Sequence, residues 1–219
     1  MNELIDRIRN RLNCFLEKQY QDSLRIRNHN HGFTLISNNC IGGVIYHNLG
    51  ERFDSPTINL FITGKDYLNF VMHLQYYCTH CQMIEGDIPG AKYPIGVLVP
   101  DGSALPPITI HFQHYSCFEE ALTKWNTRCT RIHWNNLHII WEFYDNLYPI
   151  ELIQEFDKLP FHKIVLTHRP ISGIKYQFVL PCFKNEFKTG LTLEKSKIVG
   201  RRNLDDWDYV SFINEISFK

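Results

Sequence analysis

Short apolar runs alternate with amphipathic stretches along most of this chain. In the first, residues 3–20, Leu4, Ile5, Ile8, Leu12, Phe15 and Leu16 recur at helical spacing, with Arg7, Arg9, Arg11 and Lys18 largely elsewhere on the wheel. This predicts an amphipathic helix over residues 1–28, ahead of a single domain over 29–219. A basic amphipathic helix also suits an anionic membrane surface, although Glu3, Asp6 and Glu17 interrupt its basic face. After the polar turn 28–32, residues 33–36 read as a strand that runs into Ser37-Asn38-Asn39-Cys40-Ile41-Gly42-Gly43. Val44, Ile45, Tyr46 and Leu49 then predict a short helix ended by Gly50.

Further strands are predicted over 58–62, 95–99, 108–112, 137–143 and 163–167, with an extended segment at 176–180. Thr63 with Asp66, and Ser116 with Glu119, have capping-box spacing. The first opens a helix carrying Tyr67, Phe70, Val71, Leu74 and Cys78; the second carries Phe118, Ala121, Leu122 and Trp125. Helices are also predicted over 150–156 and 204–213. Strands that are continuous apolar runs between helices imply a sheet covered on both faces. The expected fold is therefore a three-layer α/β/α sandwich with a mostly parallel central sheet. Residues 183–202 carry least pattern and read as a loop.

Hydrophobic residues make up 44% of the 219, enough for a sizeable core. Lys plus Arg and Asp plus Glu are 23 each, so the formal net charge is zero and bulk attraction to nucleic acid is not expected. No apolar run approaches the ~18 residues of a membrane span, and the charged start does not resemble a secretory signal. Seven cysteines at irregular spacing read as reduced thiols. The expected location is cytoplasmic, with the inner face of a membrane as a further option through the first helix.

The candidate chemistry gathers at the 37–43 turn, which falls at a strand's carboxyl end, where open α/β sheets bind ligands. A Cys40 thiol there would feel the positive end of the following helix, which lowers a thiol pKa. Ser37, Asn38, Asn39 and the backbone of Gly42 and Gly43 would bind substrate or steady an oxyanion. The alternative is a core cysteine. His114, at or just past the end of the 108–112 strand, is the preferred base and His111 the second, against the alternative of two structural imidazoles. Cys78-Thr79-His80-Cys81 lacks the further ligands of a zinc site, and no metal site is expected. Asp206 and Asp208 have a loose D-x-D shape, while Lys197, Arg201 and Arg202 lie in a basic stretch suited to phosphate. Dinucleotide, P-loop, zincin and serine-hydrolase motifs are absent.

The segments FTLISNNCIGGVIYHNLGERFDSPTINLFI, KDYLNF, YPIGVL, ITIHFQHYSCFEEALTKWNTRCTRIHWNNLHII and IELIQEFDKLPF resemble a bacterial family catalogued as domain of unknown function 1919, over residues 33–215. Its members are often labelled exopolysaccharide biosynthesis proteins. The matching positions include Ser37, Asn38, Asn39, Cys40, Gly42, Gly43, Asp66, His114, Tyr115, Lys124 and Trp125, whereas Ile41 stands where Trp is the family pattern. The resemblance implies an α/β/α fold and a setting in capsule or surface-polysaccharide assembly. A fainter likeness to capsule-modifying acyltransferases adds acyl transfer. The leading expectation is a transferase acting on a polysaccharide precursor or lipid-linked sugar through Cys40 and His114, with an acyl-CoA as a candidate donor and no structural cofactor. Lys124 joins the expected substrate contacts. Two alternatives stand beside it: a metal-dependent glycosyl- or phosphotransferase using a sugar nucleotide, and a non-catalytic partner of an assembly enzyme that docks through Trp134 and Trp141.

Overall fold

A computed structural model describes residues 2–184 and 187–215. Four strands form a wholly parallel sheet in the order β1 (Thr34–Ser37), β5 (Leu137–Glu142), β6 (His162–Thr167), β7 (Gln177–Val179). Their apolar runs are continuous because both faces are covered. On one face Leu35, Ile140 and Leu166 pack with Leu24 of α1 (Asn2–Arg27), Ile41 and Ile45 of α2 (Ile41–Leu49), and Val210 and Ile213 of α7 (Tyr209–Asn214). On the other, Ile36, Ile139, Trp141 and Val165 meet Tyr67 and Phe70 of α3 (Gly64–Met72), Trp125 of α5 (Phe118–Cys129) and Phe156 of α6 (Ile150–Asp157). This is the expected three-layer arrangement. Trp141 is fully buried in it, so of the two tryptophans proposed for docking only Trp134 reaches solvent.

The predicted strands at 95–99 and 108–112 do not join this sheet but form, with a third strand that was not expected, a second sheet inserted between β1 and β5. Its strands β2 (Cys81–Gly86), β3 (Ile95–Pro100) and β4 (Ile108–His111) are antiparallel. The 58–62 run is buried as expected but forms no strand; its one ladder contact is the bridge between Phe61 and His111. Asn59 turns the chain with a φ of 63°, and the Ile62 N–H donates to the Asn38 carbonyl, so the segment lies across the end of β1.

Neither predicted capping box forms. Asp66 accepts from the Thr109 N–H at 3.0 Å, tying α3 to β4, and Ser116 pairs with Glu120 rather than Glu119. The single helix predicted to carry Tyr67 through Cys78 divides at His73 into α3 and α4 (Leu74–Thr79). The predicted 204–213 helix is a 3-10 turn, Asn203–Asp206, followed by α7, whose first turn is capped by Asp208. Gly50 ends α2 in left-handed geometry (φ 70°), as its position predicted.

Candidate active site

The 37–43 turn lies at the carboxyl end of β1, and its side chains hold the turn itself together. Asn38 continues the β1–β5 ladder with its amide: Nδ2 donates to the Glu142 carbonyl at 3.1 Å, and Oδ1 accepts from the Glu142 N–H at 2.9 Å. Asn39 donates to the Glu142 carboxylate at 2.5 Å and accepts from the Ile41 N–H at 3.1 Å. Ser37 donates to the Asn39 carbonyl at 2.7 Å and accepts from the Gly42 N–H at 3.1 Å. Gly42 is required by that last contact, since a Cβ there would stand 2.6 Å from Ser37 Oγ. The expectation that these groups face a substrate is therefore corrected for the side chains of Ser37 and Asn38, which are buried and satisfied internally. Among the described residues, the Gly43 N–H has no such partner.

Cys40 occupies the N-cap of α2 and is half-buried. Burial pushes its thiol up to about 11, so desolvation outweighs the helix terminus that was expected to lower it. Its neighbourhood comes from distant segments. Ile58 and Asn59 lie over Gly43, with Asn59 Oδ1 3.7 Å from where a Gly43 Cβ would sit. The Asn59 carbonyl accepts the His114 N–H at 3.4 Å, which brings the chain after β4 to this corner. The next residue, Tyr115, donates to the Ile58 carbonyl at 3.0 Å and accepts from Arg128 at 2.5 Å. Burial raises the Tyr115 hydroxyl, Arg128 opposes the rise, and nearby Glu120 and Cys40 add to it.

His114 is exposed on this corner, and its ring forms no hydrogen bond among the described residues. His111 points elsewhere: its ring stacks on Phe61 at 4.2 Å and meets Tyr93 edge-on. Its Nδ1 is buried without a partner, and burial lowers its pKa while Asp66 resists. It is a packed ring, not a second base for Cys40.

Two features of this corner, and one at the other end of the sheet, were not singled out in the sequence. Arg128 is 8% exposed, lies 5.7 Å over Phe53, and makes no ion pair among the described residues. Glu142, fully buried at the end of β5, accepts from Asn39 and Thr192, yet burial still raises its pKa. At the sheet's opposite, amino end a cavity of about 160 Å³ is lined by His31–Glu51 and His133–Asp54 pairs, with Arg52 bidentate on Asp54.

The other predicted residues lie on further elements. Lys124 is exposed on α5. Lys197, Arg201 and Arg202 belong to a hairpin that faces α1. In the D-x-D segment, both Asp208 carboxylate oxygens are held by Arg27 at 2.6–2.7 Å. Cys78 lies in α4 and Cys81 opens β2, and no group of three or more metal-ligating side chains forms among the described residues.

The family model described as "Domain of unknown function (DUF1919)" matches residues 11–214. The chain belongs to that family. A Haemophilus influenzae protein described as "Uncharacterized protein" is 33% identical over 186 residues, covering 84% of this chain and 85% of that protein. The match takes in the whole rim, from α1 and the 37–43 turn to α7. No helix among the described residues of this DUF1919 protein is long and apolar enough to cross a membrane.

Proposed function

We propose that this DUF1919 protein is a transferase of surface-polysaccharide assembly, moving an acyl group to a sugar precursor at the corner where α2 begins. The supporting observation is that Asn59 lies over Gly43, beside Cys40, while its carbonyl accepts the His114 N–H, and that the next residue, Tyr115, holds the buried Arg128. A thiol at about 11 is protonated at neutral pH, so attack needs a base brought into play with the substrate. His114 takes the Cys40 proton as sulfur bonds to the carbonyl carbon of a thioester donor, and passes it to the thiolate that leaves, so the imidazole is neutral again. The acceptor hydroxyl then attacks the Cys40 thioester, giving its proton to His114, which returns it to the departing sulfur. The Gly43 N–H suits the carbonyl oxygen as charge develops, and Arg128 suits an anionic part of the donor.

A second reading, a non-catalytic partner of an assembly enzyme, is favoured by the self-satisfied side chains of Ser37, Asn38 and Asn39. Mass spectrometry of the surface glycan with and without the gene separates the two. Transfer predicts an intact polymer lacking one substituent per modified unit. Loss of the whole polymer supports the partner reading, and an unchanged glycan refutes both.

A further inference from the structure

A cavity of about 350 Å³ opens between α1 and the 195–202 hairpin. Asn13 and Glu17 line it from the helix, and Lys195, Lys197, Arg201 and Arg202 from the hairpin. The hairpin is closed by a bridge between Lys195 and Arg202, with the Ser196 N–H donating to the Arg201 carbonyl at 2.9 Å. It turns at Gly200 (φ 78°), which is pressed against α1: a Cβ there would stand 2.7 Å from the Glu17 nitrogen. The Arg201 guanidinium lies 4.3 Å over the Tyr20 ring. The hairpin is thus a fixed feature of the α1 surface.

Two observations say what covers it. The first is apolar exposure. Ile198 and Val199 at the hairpin tip are 55% and 52% exposed, and Leu12 and Phe15 on α1 are 54% and 57% exposed. At 100° per residue Leu12, Phe15 and Ile26 form a stripe on the side of α1 turned away from Asn13 and Glu17, so the apolar side chains beside the cavity itself are Ile198 and Val199. The second is uncompensated charge. Lys195 and Lys197 form no ion pair among the described residues. Of the nearby carboxylates, Glu194 is taken by Lys188, Asp205 faces Arg201 and Arg202, and Glu17 lines the cavity, which leaves Lys195 and Lys197 without a carboxylate of their own. The whole chain is neutral, so this is a local excess. A soluble anion calls for cations but not for protruding aliphatic side chains. Cations beside an apolar tip match the phosphate layer and acyl boundary of an anionic bilayer.

We infer that α1 and the 195–202 hairpin form a docking surface for an anionic phospholipid bilayer. Ile198 and Val199 enter the headgroup–acyl boundary, and a lipid phosphate sits in the cavity against Lys195, Lys197 and Arg201. The inference does not depend on the reaction proposed above.

Co-sedimentation of the full chain tests it, using vesicles of equal parts phosphatidylethanolamine and phosphatidylglycerol against phosphatidylcholine alone. The chain is expected to bind the anionic vesicles only, and to be released by salt. Lys195→Glu with Lys197→Glu should weaken partitioning by at least about tenfold. Ile198→Ser with Val199→Ser should also weaken it while leaving the salt dependence in place. These positions are exposed, and circular dichroism checks that each variant stays folded. Failure to bind anionic vesicles, equal binding to phosphatidylcholine, or undiminished binding by both variants overturns the inference. So does binding of glycerol phosphate by a chain that ignores vesicles, which marks a soluble-anion pocket instead.

Discussion

His138 sits on β5 with 1% exposure, its ring edge-on to Phe33, Phe212 and His162. Nε2 lies 3.0 Å from Asn136 Oδ1, which fixes the proton there, and Nδ1 is buried without a partner. Burial, with a lesser contribution from His162, lowers its pKa from 6.5 to about 3. The sign follows directly. Below pH 6.5 the unfolded chain takes up a proton at this ring and the folded chain does not, so stability present above 6.5 is lost as pH falls towards 3. Each pH unit in that window costs up to about 1.4 kcal/mol, or about 3 kcal/mol between pH 6.5 and 4. That is a large fraction of the ~5–15 kcal/mol of an ordinary domain. In His138→Gln the side-chain amide can still donate to Asn136, and it does not titrate. Urea unfolding followed by tryptophan fluorescence should show the wild type losing about 3 kcal/mol more than the variant over this range. Parallel curves for the two proteins would refute the assignment.

Three further outcomes follow from the rim. Gly42→Ala should cost roughly 2 kcal/mol by displacing the Ser37 hydroxyl from two hydrogen bonds, and Ser37→Ala in the same chain should recover part of it, as thermal melts would show. A thiol at about 11 is about one part in a thousand thiolate at pH 8, so iodoacetamide should modify exposed Cys117 well before Cys40; the reverse order would contradict the burial argument. Arg128→Met should weaken donor binding while leaving the glycan polymer intact, and normal modification at limiting donor would remove Arg128 from the site.

The layers were legible because both faces of the parallel sheet are buried. Ile139 to Trp141 and Val165 to Leu166 must then be continuously apolar, and helices must fill the intervals. In the small sheet β3 and β4 were legible as apolar runs, but β2 was not, since it lies at the edge and most of its side chains reach solvent, leaving no alternation to read. The helix carrying Tyr67 through Cys78 was read as one because its apolar spacing continues across His73 even though the backbone does not.

At the rim, the sequence located the turn correctly at a strand end but not the direction of its groups. Ser, Asn and Gly suit either a ligand cradle or a turn that satisfies itself, and only the contacts with Glu142 distinguish them. Arg128 was passed over for a similar reason. On a helix bearing Lys124 and Arg128, one cation faces solvent and the other is buried, its partners being Tyr115 from just ahead of the helix and Ile58 from a remote segment.

The central claim is that the sulfur of Cys40 carries the transferred group and that His114 moves its proton. The glycan of a strain in which Cys40→Ala or His114→Ala replaces the native gene tests it most directly, with circular dichroism confirming the fold of each purified variant. The account predicts a full-length polymer whose repeat unit is lighter by one substituent in both strains, identical to the deletion strain. A glycan of wild-type mass from the Cys40→Ala strain would contradict it.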